Sequence, residues 1–97
     1  MSCIDLQIKQ HPNQKGKIVM LLTIDIGNTN IVLGGFVENR LTFLSRISTD
    51  ATKTDAEYAI VMQNILRLYG VNQADINGAA ISSVVPPLTQ TVANAIR

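Results

Sequence analysis

The sequence predicts an α/β domain with a mixed β-sheet, built in the order strand, strand, strand, helix, strand, helix. Three observations indicate this fold class. Short apolar segments separated by turn residues fill residues 20–48. Apolar residues then repeat every three or four positions over residues 58–69, which is the period of an amphipathic helix. A last apolar segment, residues 78–84, follows that helix, so we expect it to run parallel to a neighbouring strand and to be covered on both faces.

The first three strands are predicted at residues 20–26, 30–37 and 40–48. The first is apolar on both faces apart from one threonine, which is typical of a strand in the middle of a sheet. The Gly34-Gly35 pair interrupts the second strand and predicts a bulge or a close backbone approach.

Alternation in the third strand predicts that Leu41, Phe43 and Ile47 share one face. A short turn at Glu38 and Asn39 joins this strand to the second one, because asparagine tolerates the left-handed backbone that such turns need. The three strands are therefore expected to form a meander.

Two helices are predicted, at residues 54–69 and 87–96. Thr54 and Glu57 form a capping box at the start of the first helix, and Gly70 suits the position just after its end. The second helix follows two prolines, which stop the preceding strand and suit a first helical turn. The apolar positions expected to face the core are Tyr58, Val61, Met62, Ile65, Leu66, Tyr69, Leu88, Val92, Ala95 and Ile96.

The composition argues against several classes of function. The chain has 97 residues, enough for one domain, and its formal net charge of +1 gives no electrostatic basis for binding nucleic acid or an anionic membrane. Its apolar runs are too short to span a membrane. A single cysteine forms no internal disulfide, which favours a reducing compartment, so we expect a cytoplasmic protein.

Residues 1–19 differ in composition from the rest of the chain. Residues 9–17 are polar and contain Pro12 and Gly16, and such a segment buries too little apolar surface to order itself. The continuous apolar core of a signal peptide is missing. We therefore expect residues 1–19 to be a disordered upstream extension of a domain formed by residues 20–97.

One stretch has the composition of a ligand site. The first strand ends in Asp25, and the turn Gly27-Asn28-Thr29-Asn30 follows it. Gly27 allows a sharp turn, which we expect at positive φ. Short side chains and successive backbone N–H groups make a concavity that suits an anion, most often phosphate. An acid beside a phosphate implies a divalent cation between them, so Asp25 is the predicted metal ligand.

An ordinary hairpin turn is the alternative interpretation of the same stretch. Asp, Gly, Asn and Thr are common turn residues in the absence of any ligand. The spacing of these residues leaves both interpretations open.

Three sequence blocks, in order, carry a resemblance to a known family. They are residues 25–30 (Asp-Ile-Gly-Asn-Thr-Asn), residues 46–58 (beginning Arg-Ile-Ser-Thr-Asp) and residues 81–86 (Ile-Ser-Ser-Val-Val-Pro). Together they resemble type III pantothenate kinase, a branch of the acetate and sugar kinase/Hsp70/actin superfamily. The likeness runs from Met20 to the end of the chain.

The resemblance implies a ribonuclease H-like, actin-like ATPase half-domain that is incomplete, and phosphorylation of pantothenate with ATP as the first step towards coenzyme A. It implies a divalent cation such as Mg²⁺ at Asp25, a monovalent cation (K⁺ or NH₄⁺) bound elsewhere, and a homodimer. The residues that the resemblance assigns to the ATP phosphates are Asp25, Ile26, Gly27, Asn28, Thr29, Asn30, Ile31 and Val32.

The catalytic base of the resembled family is an aspartate in a Gly-x-Asp-Arg motif, which also holds pantothenate and does not occur in these 97 residues. We therefore expect no catalytic residue within the chain, which resembles the amino-terminal part of the first of two lobes. The adenine and monovalent-cation sites are expected after Arg97. The strand at residues 78–84 is expected to keep one open edge, because no strand follows it.

Other polar residues have ordinary explanations. Arg46 and Lys53 are expected to be solvated charges, with contact to a phosphate as the alternative. Ser82 and Ser83 lack a histidine partner and are expected to form the turn before the prolines rather than to act as nucleophiles. Two further functions stay open: an actin- or chaperone-type ATPase, and an accessory transcription regulator of the same family.

Overall fold

A five-stranded mixed sheet with two helices on one face forms the fold. The computed structural model describes residues 2–7 and 19–96. In chain order the elements are β1 (Ser2–Gln7), β2 (Met20–Ile26), β3 (Asn30–Val37), β4 (Arg40–Ser48), α1 (Asp55–Leu68), a short 3₁₀-helix (Gln73–Asp75), β5 (Ile76–Ser83) and α2 (Pro86–Ala95). The strands lie side by side in the order β1-β5-β2-β3-β4, so β2 is the central strand, as predicted.

The connections between strands confirm the predicted α/β topology. β2, β3 and β4 form the antiparallel meander. After α1 the chain returns in β5, which pairs in parallel with β2. The bounds of the first three domain strands agree with the prediction, and both helices agree to within one residue at each end. β5 begins earlier than predicted, at Ile76.

The side chains of β2 alternate between two environments. Leu22, Ile24 and Ile26 are buried beneath the helices, whereas Leu21 on the opposite face is 44% exposed. The partner strand β5 alternates in the same way, and Ala80 lies half-buried on the open face. The expectation that β5 is covered on both faces is therefore wrong for the described residues, because α1 and α2 pack together on the same side of the sheet.

The Gly34-Gly35 pair has both of the predicted roles. The register of β3 and β4 shifts between Gly35 and Phe36, so that Gly35 pairs with Phe43 and Phe36 with Leu41. A Cβ atom on Gly35 would lie 2.7 Å from a ring carbon of Phe43. The shift turns Leu41 to the opposite face from Phe43, so the expectation that these two share a face is wrong: Leu41 is 46% exposed and Phe43 only 6%.

A two-residue turn joins β3 to β4 as predicted. Val37 pairs with Arg40, and the residues between them, Glu38 and Asn39, have φ values of 51° and 65°. Two consecutive positive φ angles give the mirror-image turn whose twist matches that of antiparallel strands. The turn thus fixes the register of this hairpin at its distal end.

The helix signals in the sequence are confirmed. Thr54 and Glu57 form the reciprocal capping box of α1, and Gly70 follows the end of that helix with a φ of 69°. Pro86 and Pro87 open α2. Within residues 19–96, neither helix is long and apolar enough to cross a membrane.

The amino-terminal strand is the main departure from the prediction. Ser2–Gln7 pairs antiparallel with β5 along its whole length, from Ser2 opposite Ser83 to Gln7 opposite Gly78. The expectation of disorder over residues 1–19 is therefore wrong for β1, and so is the expectation of an open edge on β5. An edge strand has a row of unpaired backbone N–H and C=O groups, and these groups pair readily with another extended segment. The rest of the predicted extension, apart from Val19, lies outside the described residues.

The close approach at Gly35 gives a stability prediction. The Gly35→Ala substitution should lower the free energy of unfolding by about 1–3 kcal/mol, because the new methyl group overlaps Phe43 and the Met20 sulfur in a packed core. Urea denaturation of both proteins measures the difference. In a Phe43→Leu background, which removes the ring, the same substitution should cost less; an equal cost in both backgrounds would contradict the packing argument.

Candidate functional site

The loop between β2 and β3 is a tight hairpin. Ile26 and Ile31 form the last pair of the two strands. The backbone N–H of Gly27 then donates to the carbonyl of Asn30 at 2.8 Å. This geometry agrees with the hairpin interpretation of the sequence, and it leaves Asn28, Thr29 and Asn30 exposed to solvent.

Space is limited at Gly27, whereas its backbone angle is ordinary. The positive-φ residues of the described chain are Glu38, Asn39 and Gly70, so the expectation of positive φ at Gly27 is wrong. A Cβ atom on Gly27 would lie 3.1 Å from the carbonyl oxygen of Asn30. To admit a side chain at Gly27, the Asn30 carbonyl would have to move by a few tenths of an ångström.

Thr49 holds this loop from the side of β4. Its backbone N–H donates to the carbonyl of Thr29 at 2.9 Å. Its Oγ1 hydroxyl donates to the carbonyl of Gly27 at 2.8 Å. Each such hydrogen bond contributes about 0.5–1.5 kcal/mol to stability. Thr49 had no predicted role, and its only sequence signal was its place in the second block of family resemblance.

Helix α1 supports Thr49 in turn. The Tyr58 hydroxyl donates to the backbone carbonyl of Asp50 at 2.7 Å and accepts from the Asp50 N–H at 3.0 Å. The Tyr58 side chain is 1% exposed, so this hydroxyl is fixed by the core. Tyr58 was predicted as a core residue; the structure confirms that and adds a polar contact that periodicity does not predict.

Asp25 lies next to the loop on the open face of the sheet. In register it faces Val32 of β3 on one side and Ser82 of β5 on the other. Within the described part of the chain, the Asp25 carboxylate has no hydrogen-bond or ion-pair partner. Because β2 and β5 are parallel, Asp25 and Ser82 approach the same carboxyl-terminal edge, where open α/β sheets bind ligands.

Ser83 has the turn role that the sequence predicted. It is 2% exposed, and its hydroxyl both donates to the carbonyl of Val85 and accepts from the Val85 N–H. The next residue, Val84, donates its N–H to the carbonyl of Ile26 at 3.0 Å. The end of β5 is therefore tied to the base of the hairpin loop.

The two candidate cations have different positions. Lys53 lies 3.7 Å from a carboxylate oxygen of Asp50, in an ion pair three residues apart. Arg46 pairs in register with Val32, which also faces Asp25, so Arg46 occupies the same row of the open face two strands away. Strands are about 4.8 Å apart, which puts the Arg46 Cα roughly 10 Å from that of Asp25. Contact of Arg46 with a phosphate stays a prediction.

The acids beside the loop are already engaged. Hydrogen bonds from the side chain and backbone of Thr52 hold the pKa of Asp50 below its ordinary value, and the charge of Lys53 acts in the same direction. Backbone and side-chain hydrogen bonds from Thr54 likewise lower the pKa of Glu57. Both carboxylates act as hydrogen-bond acceptors for backbone N–H groups at or just before the start of α1.

The site has the donors for an anion and one ligand for a cation. The described residues contain no group of three or more His, Cys, Asp or Glu side chains that could hold a metal by themselves. Magnesium in phosphate sites is commonly held by one or two carboxylates, with water and the phosphates filling the other positions. A single unpaired Asp25 beside exposed N–H groups fits that kind of site.

A separate cavity of about 360 Å³ lies on the helical side of the sheet. Most of its lining comes from the core and from the helices, and none of residues 25–32 contributes to it. The lining residues are Leu22, Leu33, Ala59, Met62, Gln63, Leu66, Gln73, Ala74, Ile76, Ala95 and Ile96. This cavity is chemically unrelated to the loop.

Comparison with known proteins gives consistent matches. The family model described as type III pantothenate kinase matches residues 21–97. The type III pantothenate kinase of Finegoldia magna is 49% identical over 78 residues, which cover 80% of this chain and 30% of the relative. Those of a Roseiflexus species and of Geotalea uraniireducens are 49% and 51% identical over 70 residues, covering 72% of this chain and 28% and 27% of the relatives. The chain thus spans about 30% of the length of these curated relatives.

The lowered pKa of Asp50 gives a prediction with a defined sign. Hydrogen bonds in the folded state stabilise the ionised form of Asp50. This contribution to the free energy of unfolding is present above the ordinary pKa of 3.8 and is lost as the pH falls through the lowered pKa. Thr52→Val removes the largest cause and should raise the pKa of Asp50 towards 3.8, while Thr52→Ser should keep it low. Carboxyl NMR titration measures both, and equal values in the two variants would contradict the assignment.

Proposed function

Because this chain belongs to the type III pantothenate kinase family, we propose that the whole protein transfers the γ-phosphate of ATP to pantothenate, the first step of coenzyme A synthesis. The observation that carries the proposal is the exposed, hydrogen-bonded hairpin loop beside Asp25, whose carboxylate has no partner among the described residues; both lie within the residues that the family model matches. Phosphoryl transfer depends mainly on positioning and on neutralising charge, and both need fixed groups.

Residues 25–32 form the proposed phosphate site, which contains both buried anchoring residues and exposed polar residues. Ile26 and Ile31 are 0% and 1% exposed, so they offer only backbone groups and anchor the loop in the core. Asn28, Thr29 and Asn30 are exposed and offer short side chains together with their N–H groups. Such a row of donors suits the oxygens of the β- and γ-phosphates.

Asp25 is the proposed ligand of the divalent cation, directly or through water. The cation supplies neutralisation of the charge on the phosphates, which would otherwise repel this carboxylate. The Asp25 side chain is exposed on the open face, where it is available to a ligand. We propose Mg²⁺ as the ion, since carboxylate and phosphate oxygens are its usual ligands.

The remaining parts of the proposal rest on family membership. They are a homodimer, a cytoplasmic location, a requirement for K⁺ or NH₄⁺, and a catalytic base and pantothenate pocket outside residues 25–32. No acid among the described residues is proposed as the base, and Asp25 is assigned to the cation. Asp50 is bound by Thr52, and the Asp55 carboxylate accepts from the Ala56 N–H at the start of α1.

The Asp25→Asn substitution tests the metal assignment in the whole protein. It keeps the shape of the side chain and removes its charge, so turnover should fall by about 10²–10³ while the melting temperature stays close to that of the unsubstituted protein. Asp75→Asn, an acid in the short 3₁₀-helix, is the matched control and should keep full turnover. Assays at limiting Mg²⁺ are the measurement; unimpaired Asp25→Asn turnover there would reject the assignment.

The 97-residue chain by itself should not phosphorylate pantothenate. It carries the proposed phosphate loop, and residues 19–96 supply no candidate base across from Asp25, so we expect weak ATP binding and no turnover with ATP, Mg²⁺, K⁺ and pantothenate. Turnover that disappears on Asp25→Asn would refute this expectation. Absence of turnover in the whole protein, with Asp25 intact, would instead favour the regulator alternative.

A further inference from the structure

We propose that Thr49 is a positioning residue that orients the phosphate-binding N–H groups of the hairpin loop and links them to helix α1. The inference rests on the proposed function of that loop, and it adds a role for a residue outside the loop. Thr49 is separated from Gly27 by 22 residues in sequence, yet it bonds to the loop through both its backbone and its side chain.

The two carbonyls that Thr49 holds set the direction of two N–H groups. The peptide unit is planar and, in the described residues, always trans. In a trans unit the carbonyl of one residue and the N–H of the next point in opposite directions. The carbonyls of Gly27 and Thr29 point at Thr49, so the N–H groups of Asn28 and Asn30 point away from it.

Both N–H groups therefore face the side of the loop opposite Thr49. A loop of exposed residues without such restraints would sample several orientations of these peptide units. Backbone N–H groups on one side of a turn can bind an anion together. Thr49 thus supplies the pre-organisation of the donors without contacting the phosphate.

Helix α1 fixes Thr49 in its place. The neighbouring Asp50 is held at both its N–H and its carbonyl by the buried Tyr58 hydroxyl. The carbonyl of Asp50 also accepts from the Lys53 N–H at 3.3 Å. Any movement of the first turn of α1 is therefore transmitted through Asp50 to Thr49 and to the loop.

The chain offers a matched pair of threonines for the test. Thr42 also donates its Oγ1 hydroxyl to a glycine carbonyl, that of Gly35, at 2.9 Å, but at the other end of β4. Thr49→Val and Thr42→Val each remove one such bond with little change of shape. Thr49→Ser keeps the hydroxyl and serves as the conservative rescue.

In the 97-residue chain, ¹⁵N relaxation of the Asn28 and Asn30 amides reports loop order without any assumption about activity. We expect Thr49→Val to increase fast motion at the Asn28 amide, whose peptide unit loses its hydrogen bond to the Thr49 hydroxyl. The Asn30 amide should stay ordered, because the Thr49 N–H still donates to the Thr29 carbonyl. Thr49→Ser and Thr42→Val should leave both amides unchanged. Unchanged relaxation in Thr49→Val would overturn the positioning role. Equal loosening in Thr42→Val would overturn it as well, because the effect would then be general.

In the whole protein, Thr49→Val should lower kcat/KM for ATP by about ten- to a hundredfold, since small misplacement of positioned groups has effects of that size. KM for pantothenate should stay within about twofold, and Thr49→Ser should restore kcat/KM. If kcat/KM for ATP fell equally in Thr49→Val and Thr42→Val, in proportion to the loss of melting temperature, the role of Thr49 would be structural only and the proposal would be refuted. Failure of the proposed function differs from this, because the unsubstituted protein would then show no turnover.

Discussion

Alternation along β2 decides which side chains of the central strand pack under the helices and which reach the open face of the sheet. Its even-numbered residues are buried under the helices, and its odd-numbered residues lie on the open face. The last two residues of β2 therefore lie on opposite faces of the sheet: Ile26 is buried in the core, and Asp25 is exposed on the open face. Parallel pairing with β5 brings Ser82 beside Asp25, and antiparallel pairing with β3 sets the hairpin loop at the same edge.

The hairpin and the phosphate site turn out to be compatible descriptions of one loop. The bond from Gly27 to Asn30 is that of an ordinary tight turn. This loop differs from a plain turn because Thr49 donates hydrogen bonds to two of its carbonyls, those of Gly27 and Thr29. The N–H groups that follow these carbonyls therefore point to the opposite side of the loop. Tertiary contacts, rather than the loop sequence, convert a common turn into a candidate anion site.

Much of this fold was predictable from the sequence because its signals are local. The capping box at Thr54, the glycine after α1 and the turn at Glu38 and Asn39 each act within a few residues, and each is confirmed. Asp25 and its loop were also identified, since a strand followed by turn residues is a local pattern. Their role as a phosphate site stays a prediction.

The features that the sequence did not predict are long-range. Leu41 turns outward because of a bulge whose register depends on two strands. β1 pairs with a strand some 80 positions further along the chain, for example Cys3 with Ser82. Thr49 had no predicted role, because nothing near it in sequence indicates that its partners are the carbonyls of Gly27 and Thr29.

A crystal structure of the whole protein with Mg²⁺ and a non-hydrolysable ATP analogue would test the central claim most directly. We expect phosphate oxygens about 2.7–3.2 Å from the N–H nitrogens of the Asn28–Asn30 segment, with the metal bound by Asp25 or by water that Asp25 holds. The carbonyls of Gly27 and Thr29 should still be bonded to Thr49. Phosphates bound elsewhere, with this loop and Asp25 in contact with solvent alone, would contradict it.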